Sequence, residues 1–225
     1  MNKKNVIPII VLAAIAMPAY VLAHNPNYIG DATQIEDTQP TASKAYYGEL
    51  HGSPAYYTII ADKGFELDAN ILSPDIINVQ KNYSVEITNE ADAVVANINN
   101  PPTQWKRWYE EFGGDWYWQG PEIKMKLPAG RYSAIVQNPG NSGKYVLAIG
   151  EDESFPPAQA FHTLSELYTI KTVFFGKPWY NIFGGSIGRY MLIGLIILLA
   201  IIGYIVYFTT KKLRRMKPSQ KPASP

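Results

Sequence analysis

The chain has 225 residues, 47% of them hydrophobic and 17% charged, and no cysteine. The missing thiols exclude a disulfide scaffold, a thiolate zinc site and a cysteine nucleophile. The formal net charge of +1 hides a segregation: residues 24–186 hold all 19 acids against 11 bases, a net −8 that offers no basic face to nucleic acid.

In chain order, Met1–Lys4 is basic and Val6–Met17 is apolar. Pro18 precedes Val21-Leu22-Ala23, a small-x-small cleavage site. Residues 1–23 therefore read as a signal peptide whose removal leaves His24 as the mature N-terminus. An uncleaved anchor over Val6–Ala23 is the alternative, since 18 residues nearly span a bilayer. Residues 24–44 read as an extended segment.

From Ala45 to Ile149 the pattern has period two, the mark of half-buried strands. Leu67, Ala69 and Ile71 oppose Glu66, Asp68 and Asn70; Tyr83, Val85 and Ile87 oppose Ser84, Glu86 and Thr88; Ile123, Met125 and Leu127 oppose Glu122, Lys124 and Lys126. Further strands are expected at Ala45–Leu50, Ala55–Ala61, Val94–Ile98, Arg131–Val136 and Lys144–Ile149. Turn residues separate them at His51–Pro54, Asp62–Gly64, Pro128–Gly130 and Asn138–Gly143. Eight short strands without an intervening helix predict a mainly β domain over residues 45–153, an antiparallel, jelly-roll-like β-sandwich.

Residues 154–177 read as an amphipathic helix, with Ser154 as its cap and Pro156 and Pro157 in its first turn. Phe161, Leu164, Leu167, Tyr168 and Phe174 recur at helical spacing, and Gly176 and Pro178 end the pattern. Burial against the sandwich and burial in lipid fit that periodicity equally. Residues 178–186 then read as an aromatic anchor, Trp179, Tyr180 and Phe183, followed by a flexible Gly184-Gly185 hinge. Tyr190–Phe208 is 19 residues without a charge, about 28 Å as a helix. A transmembrane helix is expected over 187–210 and a basic tail over 211–225. Lys211, Lys212, Arg214, Arg215 and Lys217 place that tail in the cytoplasm by the positive-inside rule, and residues 24–186 outside, at the plasma membrane.

Four sequence stretches follow an order known from one domain family. They are Tyr46-Tyr47-Gly48-Glu49-Leu50, Ala55-Tyr56-Tyr57-Thr58-Ile59, Leu127-Pro128-Ala129-Gly130-Arg131-Tyr132 and Gly143-Lys144-Tyr145-Val146-Leu147. Over about Ala45–Gly150 the chain resembles the bacterial pre-peptidase C-terminal β-sandwich, carried here in what looks like a single-pass surface protein. A peptidase does not precede it here, and a Trp-rich insertion departs from the pattern. The resemblance implies a fold and a binding or accessory role, and no reaction.

The candidate binding residues lie in that insertion: Trp105, Trp108, Trp116 and Trp118, with Glu110 and Asp115 beside them. Exposed indoles stack on sugars or anchor protein partners; the competing reading is that large aromatics are core. Adjacent carboxylates are not by themselves a glycosidase pair, which needs two acids across a cleft. A terminal His24 would offer an amine and an imidazole together to copper, although neither His51 nor His162 is linked to it by spacing. Turn aspartates admit calcium, but no EF-hand spacing is present. G-x-S-x-G, H-E-x-x-H and phosphate-loop motifs are absent. The expectation is a non-enzymatic binding or structural module with no cofactor, in contact with the lipid bilayer and with a protein or glycan partner. The alternatives are a copper-handling ectodomain and an accessory subunit of a membrane complex.

Overall fold

A computed structural model describes residues 24–99, 104–152 and 160–216. The signal peptide, the Ser154 cap with Pro156 and Pro157, and the tail from Lys217 onward lie outside the described residues.

Eleven strands are described: β1 (Asn25–Gly30), β2 (Gln34–Asp37), β3 (Lys44–His51), β4 (Ala55–Ala61), β5 (Phe65–Pro74), β6 (Ser84–Asn89), β7 (Val94–Asn99), β8 (Lys106–Glu110), β9 (Asp115–Leu127), β10 (Gly130–Gln137) and β11 (Ser142–Ile149). They form a six-stranded sheet in the order β1-β3-β11-β5-β9-β8 and a five-stranded sheet in the order β2-β4-β10-β6-β7. The alternation read in the sequence becomes the inner faces of a β-sandwich. In β4, Ala55, Tyr57, Ile59 and Ala61 are buried while Tyr56 is exposed. Tyr57, Leu67, Ile71, Tyr83, Val85, Ile87, Tyr145 and Leu147 fill the space between the sheets. Each such side chain contributes roughly 1.5–3 kcal/mol by leaving water. The Tyr57 and Tyr145 hydroxyls are 2.9 Å apart, so each phenol meets a partner inside the core.

The sandwich is antiparallel among β3–β11. The segment expected to be merely extended supplies two more strands, and both pair in parallel, β1 on β3 and β2 on β4. One strand thus extends each sheet. Asp37, at the end of β2, is buried and accepts from the Lys44 ammonium at 2.5 Å, the Tyr46 hydroxyl at 2.9 Å and the Gln39 N–H at 2.9 Å. Those bonds offset the desolvation of the carboxylate and pin the crossing from one sheet to the other. In the long pair β5–β9 the register shifts between Asn70 and Leu72, opposite Gly120-Pro121. Proline cannot donate to a ladder, and Asn70 Nδ2 donates to the Gly120 carbonyl at 2.9 Å across the break.

The outer face of the six-stranded sheet is also apolar where β3, β11, β5 and β9 cross it. Helix α1 (Ala160–Thr169) and a π-helical turn (Ile170–Phe174) bring Ile170 and Phe174 onto Tyr47, Leu72, Tyr117 and Val146. The Tyr47 and Phe174 rings meet edge to face at 5.2 Å. Of the two burial modes open to this segment, the structure takes packing on the sandwich. Tyr168, read as part of the buried stripe, is instead 53% exposed. A 3₁₀ turn (Trp179–Gly184) and helix α2 (Ser186–Met216) complete the described chain.

The chain divides into two compact units. One holds residues 19–187, with the sandwich and its helical cover; the other contains the chain from Gly188 onward. Within α2, the 28 residues Ser186–Leu213 form a helix long and apolar enough to cross a membrane.

Candidate functional site

The Trp-rich stretch folds as the β8–β9 hairpin at one edge of the six-stranded sheet. Its register pairs Arg107 with Trp118, Trp108 with Tyr117, Tyr109 with Trp116, and Glu110 with Asp115. Paired residues share a face, and successive pairs alternate faces. The candidate residues are therefore divided between two surfaces.

On the face toward the helical cover, Tyr117 is buried and Trp108 lies beyond it, 39% exposed, with ring centres 6.2 Å apart. Asp115 is 1% exposed on this face. Its Oδ2 accepts from the Lys171 ammonium at 2.5 Å and its Oδ1 from Lys177 at 2.7 Å. Lys171 is itself 1% exposed and also donates to the Gly113 carbonyl at 2.6 Å. Burial pulls the Lys171 ammonium below the ordinary lysine range, and the Asp115 charge opposes that fall. Glu110 accepts the N–H groups of Phe112 and Gly113, both at 2.6 Å, and so shapes the hairpin turn. Burial raises its carboxyl above the usual range, against those two bonds. Asp115 and Glu110 are thus neighbours engaged in holding the hairpin, not acids facing across a cleft.

On the opposite face, Trp116 is 43% exposed, with the Arg107 guanidinium 4.2 Å from its ring centre. Trp118 is half-buried against the sandwich core; its Nε1 donates to Asp75 at 2.9 Å and Lys81 lies 3.8 Å from its ring. Trp105 is 6% exposed and belongs to the core, beside Tyr83. The structure thus leaves Trp108 and Trp116 accessible and assigns Trp105 to packing.

The hairpin turn is also bonded to Ser186 and Ile187, the last residues of the same unit. The Ser186 N–H donates to the Glu111 carbonyl at 2.8 Å, as does its hydroxyl at 3.0 Å, and the Ile187 N–H reaches the Phe112 carbonyl at 3.4 Å. Gly114 takes φ +78°, and a Cβ there would stand 2.5 Å from the Gly185 nitrogen. A Cβ on Gly185 would meet the Phe112 oxygen at 2.0 Å. The two glycines permit backbone-to-backbone contact that no other residue allows. Gly185, expected as part of a flexible hinge, has its backbone packed against Phe112 and Gly113 of the hairpin turn.

Lys171 and Lys177 were not among the candidate residues. A signal was available: Leu167, Ile170, Lys171 and Phe174 follow the i, i+3, i+4, i+7 spacing of one helix face. A lysine on an apolar stripe needs an acid opposite, and Asp115 supplies it.

His24 lies with its Nδ1 2.6 Å from the Ser43 hydroxyl. Among the described residues, no three His, Asp or Glu side chains are grouped so as to hold a metal ion. A shallow cavity of about 180 Å³ beside the β5–β6 connection is lined by Glu49, Ser73, Ile77, Gln80 and Lys144. The Lys144 ammonium donates to the Val173 and Phe174 carbonyls at 3.2 and 2.8 Å, which ties the π turn to β11.

No protein-family model matches the chain. Nor does any curated protein. Among solved structures, the chain is similar to the pre-peptidase C-terminal domain of the collagenase from Bacillus anthracis: 16% identity, 56% of this chain and 94% of that one covered, TM-score 0.32. It is also similar to part of a β-glucosidase from Paenibacillus barengoltzii: 13% identity, 56% of this chain but 13% of that one covered, TM-score 0.26.

Proposed function

We propose that this protein is a single-pass membrane protein that presents an acidic β-sandwich outside the cytoplasm as a non-catalytic binding or structural module. The observation that carries this reading is the helix Ser186–Leu213, long and apolar enough to cross a membrane, which follows the sandwich in the chain. Lys211 and Lys212 lie in its last turn and Arg214, Arg215 and Lys217 follow it, which supports a cytoplasmic C-terminus. The net −8 over residues 24–186 keeps the domain soluble and off an anionic surface over most of its area. The lack of a catalytic motif favours binding of a protein or a glycan over turnover.

Crosslinked affinity purification of the full-length protein from its own membrane tests the reading. A specific envelope protein or glycan should be retained, and protease added to intact cells should reach the sandwich but not the basic tail. Recovery of the protein alone, or a protected sandwich with an accessible tail, refutes it.

A further inference from the structure

Within the six-stranded sheet, strands β5 and β11 diverge at one end. Their pairing stops at Leu72 and Val146, although β5 continues to Pro74 beside β9 and β11 begins at Ser142 beside β3. The cavity of about 180 Å³ lies at this divergence. Ile76, Val79 and Gln80 of the connection after β5 line it together with Gly143 and Lys144 of β11. An engineered cavity of about 150 Å³ admits benzene, so this one has room for a single six-membered ring.

Two polar side chains in the wall lack a hydrogen-bond partner of their own. Ser73 is fully buried, and its hydroxyl is unpartnered among the described residues. A buried hydroxyl left in that state costs folding free energy, which calls for a reason outside the fold. The Glu49 carboxylate is partly exposed, 3.7 Å from His51 Nε2 and 3.9 Å from the Lys144 ammonium, both beyond hydrogen-bond distance. Lys144 already donates to the Val173 and Phe174 carbonyls, which leaves it one N–H. The rest of the wall includes the aliphatic Pro74, Ile76 and Val79, and Ile77, which is 89% exposed.

This wall selects by charge and by bonding capacity. Lys144 repels a cation and Glu49 repels an anion, and the two charges sum to zero beside a neutral hydroxyl. A wholly apolar ligand would leave Ser73 and Glu49 unpaired. A ring bearing several hydroxyl groups satisfies both: its O–H groups donate to Glu49 and exchange hydrogen bonds with Ser73, while its C–H edges lie on Ile76, Ile77 and Val79. We infer that the cavity between β5 and β11 is a saccharide subsite that takes one neutral sugar ring of a glycan. The inference rests on the reading of the sandwich as a binding module. It narrows the partner to a glycan and moves the contact away from the tryptophan hairpin.

Saturation-transfer NMR tests it, on the full chain in a detergent without a sugar headgroup, with the methyl glycosides of glucose, galactose, mannose and N-acetylglucosamine. At least one should bind, with a dissociation constant in the millimolar range for a ligand of this size. Ser73→Ala should weaken binding by about 3- to 10-fold, as for a lost neutral hydrogen bond, and Glu49→Gln by about 10- to 100-fold, as for a lost charge-assisted one. Because the Ser73 hydroxyl has no partner in the fold itself, Ser73→Ala should melt no lower than the wild type, which separates lost binding from lost folding. No saturation transfer to any of the four glycosides at about 20 mM overturns the inference. So does binding that both variants leave unchanged, which would put the sugar elsewhere, such as on the exposed indoles. A crosslinked protein whose recovery falls in Glu49→Gln, while no glycoside binds, also overturns it and gives the cavity to a protein side chain. Failure of the proposed function shows differently: a sandwich protected from protease on intact cells refutes its placement outside the cytoplasm, while glycoside binding in detergent still stands.

Discussion

Asp115→Asn tests the clamp between hairpin and helical cover. In the native structure one carboxylate serves two ammonium groups, and the Lys171 and Asp115 side chains are only 1% and 2% exposed. The substitution keeps the shape and removes the charge. Lys171 would stay in the interior with the Gly113 carbonyl as a neutral acceptor, and Lys177 would lose its partner. Leaving one member of a buried ion pair uncompensated costs about 3–5 kcal/mol. For a unit of this size, each kcal/mol moves the melting midpoint by about 2–4 °C, so a fall of about 6–20 °C is expected. Lys171→Met keeps the stem volume, removes the buried cation and leaves Asp115 paired with Lys177, so it should cost clearly less. The double variant should cost less than the sum of the two. Near-ultraviolet circular dichroism of the detergent-solubilised full chain follows the melt, and limited proteolysis near Lys171 reports release of the helical cover. A loss below about 1 kcal/mol for Asp115→Asn, or Lys171→Met proving the more damaging, would refute the reasoning, because either result means the charges are solvated in the folded protein.

Other substitutions separate packing from surface. Gly185→Ala places a methyl group on the Phe112 carbonyl at an ordinary φ of −87°, so the penalty is steric alone. About 1–3 kcal/mol is expected, read as a lower melting midpoint and faster amide exchange at Ser186 and Ile187. Trp105→Ala should cost about 3–5 kcal/mol, and Trp116→Ala well under half of that, because one ring is core and the other stands at the surface; equal losses would contradict that division. Burial and the charges of Glu122 and Glu151 raise the Asp68 carboxyl above the usual range despite Lys124. A raised carboxyl binds its proton more tightly in the folded state, so the stability it confers is present at low pH and lost as pH rises through its folded value. Asp68→Asn should therefore match the wild type in acid and become the more stable of the two toward neutrality, measured by urea midpoints across pH; a gap that opens on acidification instead would reverse the assignment.

How much was legible follows from which forces act locally. Strands β4, β5, β6 and β10 were readable because one face of each meets the core and the other does not, which writes period two into residues such as Leu67-Asp68-Ala69. The parallel strands β1 and β2 were not. Asn25–Gly30 has Pro26 and no alternation, and Gln34–Asp37 is only 4 residues long. Their pairing is decided by distant groups, as when the Tyr28 N–H donates to Glu166 at 2.5 Å. The tryptophans show the same limit. Composition brought them forward together, but the hairpin register sends Trp108 and Trp116 to opposite faces and the core takes Trp105. The Gly184-Gly185 pair looked like slack in the chain, since glycine in a sequence signals freedom equally with close approach, and only the Phe112 carbonyl opposite tells which applies.

The helical cover also sets an order of events during synthesis. A ribosome releases the chain from its N-terminus, so β3, β5 and β11 are complete before Ile170 and Phe174 have been made. Until then Tyr47, Leu72, Tyr117 and Val146 form an unsheltered apolar surface. The residues that cover it, and the Lys171 that neutralises Asp115, come only some fifteen residues ahead of the long apolar helix that begins at Ser186. The domain therefore reaches its finished state just as that helix begins to be made, and a chain truncated before Ile170 is left with an aggregation-prone face and an acid without its base.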